Sequence, residues 1–138
     1  MAEEHDLSSY RDTRILVAED SPVNQQLILA FLGAIGLNNI QVVENGRQAV
    51  DYMRSHDLDI ILMDCKMPVM GGLEATETIR KMLNGRVVQI IALTANVMEE
   101  EKQHCFDAGM NDYLSKPITK QSLFQTMLTA IMAKSAVM

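Results

Sequence analysis

Three short runs in this chain are entirely apolar, and each leads directly into a side chain that can carry chemistry. They are Ile15–Ala18 before Glu19 and Asp20, Ile60–Met63 before Asp64, and Ile90–Leu93 before Thr94. A strand that is apolar on both faces is typical of a parallel sheet covered by helices on both sides. The C-terminal ends of parallel strands share one edge, where open α/β folds bind ligands. The sequence therefore predicts a site at that edge.

Strand-like and helix-like segments alternate between Arg14 and Lys134. The strand candidates are Arg14–Ala18, Asn39–Val43, Asp59–Met63, Val88–Leu93 and Asp112–Leu114. The helix candidates are Pro22–Ile35, Arg47–Ser55, Leu73–Leu83, Met98–Ala108 and Lys120–Lys134. Because crossovers between parallel strands are right-handed, this order predicts an α/β fold with a doubly wound five-stranded parallel sheet. Strand 1 should lie next to strand 3.

Local signals support these boundaries. Ser21 precedes Pro22, which places a capping hydroxyl before a proline at the first helical position. Gly36 and Gly109 follow the first and fourth helices, where a left-handed cap is expected. Asn45-Gly46 is a hairpin signal in isolation, but a helical pattern follows it, so a strand-to-helix turn is favoured.

The chain has 138 residues, which suits one domain. We predict a polar tail or linker over 1–13, the domain over 14–134 and a C-terminal tail over 135–138. A net charge of −6 argues against direct binding to nucleic acid. No apolar stretch approaches the roughly 20 residues of a membrane span, and there is no signal peptide. Cys65 and Cys105 form no CxxC motif, which indicates reduced, core-type residues in a cytoplasmic protein.

The carboxylates of Glu19, Asp20 and Asp64 would repel one another if they clustered at one edge. A divalent cation would explain such a cluster, and a hard ion with oxygen ligands points to Mg²⁺. Lys116 follows the last strand candidate and adds a positive charge. The charges of the three carboxylates, the ion and the lysine then sum to about zero, and a neutralised site can admit a phosphoryl group.

Nucleophilic chemistry at a carboxylate follows from this grouping. Asp64 stands alone at its strand end and is the best candidate to attack phosphorus and form an acyl phosphate. The paired Glu19 and Asp20 are better suited to bind the metal. Thr94 would supply a hydroxyl and Lys116 a cation to the phosphoryl oxygens.

Each of these residues has a simpler interpretation when it is taken alone. Glu19 and Asp20 could form a solvated loop before a helix, Thr94 could cap the next helix, and Lys116 could be a surface residue. Asp64 could be an ordinary loop acid. The joint pattern is more specific than any member, because the side chains follow separate strands.

The motifs resemble those of the receiver domains of two-component response regulators and hybrid histidine kinases. The resemblance covers about Arg14 to Lys134, and the motif sequences are most similar to those of receivers of hybrid histidine kinases. The motifs are Val17-Ala18-Glu19-Asp20 with Asn24, Met63-Asp64-Cys65-Lys66-Met67-Pro68 with Met70 and Gly72, Leu93-Thr94-Ala95-Asn96, and Ala108-Gly109-Met110 through Lys116-Pro117. The resemblance implies a flavodoxin-like (βα)5 fold with strand order 2-1-3-4-5.

The resemblance also implies roles for individual residues. Asp64 matches the phosphoacceptor, Asp20 a direct Mg²⁺ ligand and Glu19 a ligand through water. Lys66 matches the position whose backbone carbonyl completes the metal site. The remaining matches are Thr94 as the switch hydroxyl, Lys116 as the phosphate-binding lysine, Tyr113 as the switch aromatic and Pro117 as a proline that is usually cis.

Two details concern the lifetime of the phosphoryl state and the loop near the site. Gly71 stands where receivers commonly carry an aspartate, so we expect a changed loop without loss of the chemistry. Lys66 and Asn96 occupy variable positions beside the phosphoryl group and should influence its lifetime.

The function expected from these matches is a signalling switch and not a turnover enzyme, although the domain assists its own phosphorylation and dephosphorylation. A histidine kinase or a histidine-containing phosphotransfer domain would donate to Asp64. Thr94 and Tyr113 would then remodel the face made by the fourth helix, fifth strand and fifth helix, which could also support a homodimer. We expect no direct contact with nucleic acid and no membrane insertion. The domain would work in the cytoplasm, alone or within a membrane-anchored hybrid histidine kinase.

Two alternatives remain open at this point. A small phosphatase of the haloacid-dehalogenase kind also uses an aspartate, a hydroxyl, a lysine and Mg²⁺. Such enzymes carry the nucleophile on the first strand and a second acid two residues later, whereas here residue 66 is a lysine. A degenerate receiver that only binds partners is the other alternative, and the intact set of site residues argues against it.

Overall fold

A computed structural model describes residues 6–95 and 98–137, which form one parallel sheet surrounded by helices. The strands are β1 (Ile15–Ala18), β2 (Ile40–Val43), β3 (Ile60–Asp64), β4 (Gln89–Thr94) and β5 (Asp112–Ser115). The helices are α1 (Pro22–Ala34), α2 (Gly46–Ser55), α3 (Gly72–Arg80), α4 (Glu99–Ala108) and α5 (Lys120–Val137). Two short 3-10 turns span Ser8–Tyr10 and Leu83–Gly85.

The strand order is β2-β1-β3-β4-β5, and every neighbouring pair is parallel. This confirms the predicted doubly wound sheet and the position of strand 1 beside strand 3. The register places Ala18 opposite Met63, Asp64 opposite Leu93, and Thr94 opposite Ser115. Residues that follow β1, β3, β4 and β5 therefore emerge side by side along one edge.

Each face of the sheet has its own apolar core. On one face Ile28 and Leu32 of α1 and Met127 of α5 pack against β1, β3 and β4. On the other face the side chains of α2, α3 and α4 pack, among them Met53 and Ile79. Strands β1 and β3 are buried along their whole length, which explains why they read as continuous apolar runs rather than alternating ones.

The predicted caps at Ser21, Gly36 and Gly109 are confirmed, and the turn predicted at Asn45-Gly46 leads into α2 with Asn45 as its N-cap. The Ser21 hydroxyl accepts a hydrogen bond from the Asn24 amide, and the Asn45 side chain accepts one from the Gln48 amide. Gly36 and Gly109 both adopt positive φ values, +97° and +113°, just after α1 and at the end of α4. A positive φ costs glycine little conformational free energy, so each helix can end sharply before the chain turns toward the next strand.

The first residues that the structure describes differ from the predicted polar tail. Leu7 is buried in the core beside α1, and its amide donates a hydrogen bond to the Ile35 carbonyl at 2.6 Å. This approach needs a glycine at position 36, because a Cβ there would lie 2.7 Å from the Ser8 nitrogen. A single apolar residue in a polar stretch gave too little signal to predict the contact.

Helix α3 ends at Arg80, three residues before the predicted Leu83, and the Arg80 side chain binds the segments that follow. The Arg80 guanidinium donates to the carbonyls of Gly85, Val88 and Gly109 and to the side chain of Asn111. These bonds tie the end of α3 to the residues that lead into β4 and β5.

The last helix is longer than predicted. Helix α5 continues to Val137, so the expected tail over 135–138 is helical over its first three residues, and Met138 lies outside the described residues. Among the described residues, no helix combines the length and apolar character needed to cross a bilayer.

Val69, in the loop between β3 and α3, has a φ of +69° although it is β-branched and 82% exposed. A left-handed backbone costs such a residue roughly 1–2 kcal/mol, and glycine avoids most of that cost. We expect Val69→Gly to raise the free energy of unfolding by about 0.5–1 kcal/mol in urea denaturation, after the extra chain entropy of glycine is subtracted.

The matched control for this substitution is Val23→Gly, at an exposed valine in the first turn of α1. There the backbone is right-handed, so glycine should lower stability by about 0.3–0.5 kcal/mol. The same sign of change at both positions would show that the backbone of Val69 is not strained.

Candidate functional site

The five side chains that the sequence singled out line one cleft of about 240 Å³ at the C-terminal edge of the sheet. Glu19 and Asp20 follow β1, Asp64 ends β3, Thr94 ends β4, and Lys116 follows β5. The rest of the described wall is formed by Ser21, Asn24, Cys65, Lys66 and Ala95. The tertiary structure thus brings together residues that are up to about a hundred positions apart in the chain.

Glu19, Asp20 and Asp64 form a tight carboxylate cluster in this cleft. One oxygen from each lies within 4.8 Å of the others. Glu19 is fully buried and Asp64 is 5% exposed, whereas Asp20 faces solvent. Burying two carboxylates beside a third is unfavourable unless positive charge or hydrogen-bond donors compensate them.

Lys116 supplies part of that compensation. Its Nζ lies 3.0 Å from Asp64 Oδ2, to which it donates a hydrogen bond, and 3.0 Å from Glu19 Oε1. Burial by itself would lower the pKa of Lys116, but the carboxylates of Asp64 and Glu19 favour its charged form, outweigh burial and raise that pKa above its ordinary value. The lysine therefore stays protonated in the cleft.

Backbone and amide groups hold the carboxylates in place. The Lys66 amide donates to Asp64 Oδ1 at 3.2 Å, and the Ser21 amide donates to Glu19 Oε2 at 3.0 Å. The side-chain amide of Gln25 donates to the Glu19 backbone carbonyl at 2.6 Å. Glu19 Oε1 receives no hydrogen bond, and its contact with Lys116 is an ion pair.

This donor set fits a small divalent cation. Three carboxylates and one ammonium leave a net charge of −2, and the buried Glu19 Oε1 has a lone pair that no hydrogen-bond donor is aimed at. Oxygen ligands with access to water are what Mg²⁺ prefers in proteins. Lys66 lies on the cleft wall, and the part of its backbone carbonyl in metal binding stays a prediction.

A search against family profiles matches residues 15–128 to the family described as the response regulator receiver domain. This chain is a receiver domain. The match spans all five strands and the first half of α5, so it covers the whole sheet and all of the cleft residues. The fold and the family predicted from the sequence are therefore confirmed, and the alternative of a haloacid-dehalogenase phosphatase is rejected.

Several relatives of this receiver are hybrid sensor kinases. The sensor histidine kinase RcsC of Salmonella typhi is 37% identical over 116 residues, which cover 84% of this chain and 12% of the kinase. The hybrid signal transduction histidine kinase I of Dictyostelium discoideum is 38% identical over 125 residues, which cover 86% of this chain and 7% of that protein. The receiver thus spans only a small part of the curated relatives it matches.

Two solved structures are informative neighbours of the receiver. The receiver domain of sensor histidine kinase PA1611 from Pseudomonas aeruginosa PAO1, with magnesium coordinated in its active-site cleft, is 44% identical with a TM-score of 0.80 and covers 86% of this chain and 97% of that one. The Saccharomyces cerevisiae complex of the phosphotransfer protein Ypd1 with the Ssk1 receiver matches at 30% identity and a TM-score of 0.74, over 80% and 83% of the two chains.

Three of the residues that the sequence highlighted lie apart from the cleft wall or outside the described structure. Tyr113 packs against α4, where its ring meets Phe106 edge-on at a centroid distance of 6.5 Å. Gly71 takes the N-cap position of α3 without a side-chain hydrogen bond, so the loop lacks the cap an aspartate could provide. Asn96 lies outside the described residues. The Lys116-Pro117 bond is cis, as the resemblance implied.

Three contacts that link the cleft of the receiver to its surroundings were not among the predictions from the sequence. Gln25 is one, and its position six residues after Glu19, on the first turns of α1, could have suggested it. The others are the thiol contact between Cys65 and Cys105 and the contact of Lys102 with Tyr113. Both depend on how α4 packs on the sheet, for which the sequence carries no local signal.

Cys65 is the residue after Asp64, and its sulfur lies 3.6 Å from that of Cys105 in α4. Both cysteines are free. Burial, together with the neighbouring Cys105, Asp64 and Glu101, raises the pKa of the Cys65 thiol to about 12. A thiol with such a pKa is protonated at neutral pH and is a poor nucleophile.

We therefore expect Cys65 in the folded, metal-free receiver to react with iodoacetamide at pH 8 roughly three orders of magnitude more slowly than an ordinary thiol, since the reactive thiolate is depleted by that factor. Peptide mapping of native and urea-unfolded samples measures both rates at the same pH. Equal rates in the two samples would contradict a buried, protonated thiol.

Proposed function

We propose that this receiver accepts a phosphoryl group from a partner phosphohistidine onto Asp64 and relays the signal through the α4–β5–α5 face. The observation that carries the proposal is the placement of the Asp64 carboxylate in an open cleft, in contact with the Lys116 ammonium and beside two further carboxylates. An isolated structural aspartate would not require this surrounding set of charges.

The chemistry is a transfer between two nucleophiles. A carboxylate oxygen of Asp64 forms a bond to phosphorus as the bond from phosphorus to the imidazole nitrogen of the donor breaks. Lys116, already 3.0 Å from Asp64 Oδ2, neutralises charge on the phosphoryl oxygens. Thr94, at the end of β4, offers a hydroxyl on the same cleft wall.

Mg²⁺ would be held by Glu19, Asp20, Asp64 and the backbone carbonyl of Lys66. When bound, the ion offsets the excess negative charge of the cluster and that of the incoming phosphoryl group. The magnesium in the cleft of the PA1611 receiver supports this part of the proposal.

The switch would couple Thr94 to Tyr113. Tyr113 is the register partner of Ala92, two residues before Thr94, so the two side chains point to the same face of the sheet. The phosphorylated Asp64 carries about −2 of charge in place of the −1 of its carboxylate, and its phosphoryl oxygens draw the Thr94 hydroxyl toward them. Tyr113 then moves into the space beside Thr94, where Ala95 leaves room, and the α4–β5–α5 face changes its shape.

The partner is a histidine kinase or a histidine-containing phosphotransfer domain. The Ypd1–Ssk1 complex supports this class of partner. Similarity to receivers inside sensor kinases supports the proposal that the domain works within, or downstream of, a hybrid histidine kinase. The α4–β5–α5 face is the surface we propose for any homodimer.

Incubation with acetyl phosphate and Mg²⁺ tests the core of this proposal. Intact mass should show one added phosphoryl group that is lost on treatment with hydroxylamine, as expected of an acyl phosphate, and peptide mapping should locate it at Asp64. A chain that takes up no phosphoryl group, although it is folded and binds Mg²⁺, would support the degenerate-receiver alternative.

Hydrogen exchange tests the switch separately. With Mg²⁺ and the phosphoryl mimic beryllofluoride, we expect exchange to change in Met98–Glu101 and Asp112–Ser115, with little change in Gln41–Ser55. In Thr94→Ala the mimic should still bind through Mg²⁺ and Lys116, but the response near Tyr113 should shrink by at least half, because the hydroxyl that links them is gone. A full response in that variant would place the switch elsewhere.

A further inference from the structure

Tyr113 is held against α4 by two different contacts. Lys102 Nζ lies 4.6 Å from the centroid of the Tyr113 ring, and Phe106, one turn further along the helix, meets the same ring edge-on. The Lys102 side chain is only 21% exposed, although lysines on a helix surface normally extend into water. The ammonium has therefore folded down over the aromatic ring.

Among the described residues, Lys102 contacts the ring of Tyr113 and forms one ion pair, with Glu99. Its ion pair with Glu99 is long, at 3.5 Å, and the Glu99 side chain is 92% exposed. Exposed ion pairs of this kind contribute little to stability. The pKa of Lys102 is raised mainly by a hydrogen bond to the Tyr113 phenol although burial opposes it, with Glu99 a smaller cause. The Tyr113 side chain, whose ring lies under the ammonium, is thus the principal partner of Lys102.

We propose that Lys102 is a positioning residue that holds Tyr113 in its position against α4 and so sets the balance between the two states of the switch. The proposal rests on the Thr94–Tyr113 coupling described above and deepens it. The attraction between an ammonium and an aromatic ring requires the cation to lie over the ring face. If Tyr113 turns toward Thr94, its ring leaves Lys102.

A contact made in only one of two states shifts the equilibrium toward that state. Lys102 therefore opposes the phosphorylated conformation. A cation over a partly exposed ring is expected to change such an equilibrium about two- to fivefold. Removing the charge at position 102 should make the switched state easier to reach without any change in the phosphoryl cleft, since Lys102 does not line it.

The test uses the full chain with tyrosines ¹³C-labelled at the ring ε carbons and followed by NMR. The chain has three tyrosines, and Tyr113→Phe identifies the Tyr113 signal. Titration with beryllofluoride at saturating Mg²⁺ gives both the apparent affinity for the mimic and the response of Tyr113. We expect Lys102→Gln to tighten the apparent affinity about two- to fivefold and to move the unliganded Tyr113 signal toward its liganded position.

Two variants separate the ring contact from other roles of Lys102. Lys102→Arg keeps a cation over the ring and should behave like the native chain. Glu99→Gln removes the ion pair and leaves the cation in place, so it should also behave like the native chain.

Each alternative outcome has a distinct meaning. An affinity and a Tyr113 signal in Lys102→Gln that match the native chain, which itself responds to the mimic, would overturn the role of Lys102 and leave the proposed function intact. The same shift in Glu99→Gln as in Lys102→Gln would assign the effect to the ion pair and overturn the ring contact. If the Tyr113 signal of the native chain does not change when the mimic binds, the Thr94–Tyr113 coupling and the role of Lys102 are both overturned. The proposed phosphorylation of Asp64 would still stand in that case.

Discussion

Asp64→Asn should abolish the hydroxylamine-labile phosphoryl group that acetyl phosphate and Mg²⁺ place on the native chain. An amide oxygen is not nucleophilic enough to form the acyl phosphate, so the loss at this position should be complete. The fold should survive, because asparagine has nearly the same shape as aspartate and its single side-chain oxygen can still accept one of the two hydrogen bonds that Lys116 and the Lys66 amide donate to residue 64. Intact mass before and after hydroxylamine, followed by peptide mapping, measures the result.

Asp51→Asn is the matched control, since Asp51 is an exposed carboxylate on α2, away from the cleft. It should be phosphorylated to the native extent at Asp64. Mapping is essential because another acceptor can take up phosphoryl groups when the preferred one is removed. Undiminished, equally labile phosphorylation in Asp64→Asn would show that another residue is the acceptor.

Millimolar Mg²⁺ should stabilise the native fold. The carboxylates of Glu19, Asp20 and Asp64 repel one another, and an ion that binds only the folded cluster adds RT ln(1 + [L]/Kd) to the free energy of unfolding. At about 100 times Kd this is roughly 2.7 kcal/mol, which corresponds to a rise of about 10 °C in Tm for a chain of this size. Thermal melts with MgCl₂, compared with KCl at equal ionic strength, measure it.

The variant Asp20→Asn makes this expectation specific to the site. Asp20 is exposed, so the substitution should leave the fold intact while it removes one metal ligand. Asp20→Asn should lose most of the Mg²⁺-dependent rise in Tm, whereas Asp51→Asn should keep it. An equal rise in all three proteins would mean that Mg²⁺ acts through general charge screening and not through the cluster.

These two experiments and the Lys102 test address successive parts of one path. The first concerns the bond to phosphorus at Asp64, the second the ion that offsets the charge of the cluster, and the third the readout at Tyr113. Because Lys102 lies outside the cleft, its variants change the conformational balance without changing the chemistry. The path can therefore be interrupted at one step while the others are still measured.

The identity of the cleft was readable from the sequence. Glu19, Asp20, Asp64, Thr94 and Lys116 each follow an apolar strand, and a parallel sheet aligns the ends of its strands at one edge. The apolar runs and the alternating helices predict a parallel sheet covered on both faces, and the resemblance to receivers implied its full strand order. Topology thus converts separate positions along the chain into one cluster, which is why the strand order and the cleft agree with expectation.

The sequence also determined where most elements begin and end. Ser21, Asn45, Gly36 and Gly109 act through local hydrogen bonds and backbone conformation, and these effects do not depend on distant residues. The predicted boundaries were wrong where a contact with distant residues competed with the local sequence pattern. Arg80 ends α3 early by binding carbonyls at 85, 88 and 109, which no helical pattern in residues 73–83 could reveal.

Only the tertiary structure decided the contacts that surround the cleft. The burial of Leu7 beside Ile35, the meeting of Cys65 with Cys105, and the position of Lys102 over Tyr113 each join segments that have no regular spacing in the chain. Periodicity and caps report a residue's own element, whereas these contacts depend on the packing of one element against another. The sequence by itself determined the fold and the chemical groups of the site, and the packing of α4 on the sheet decided what surrounds Tyr113.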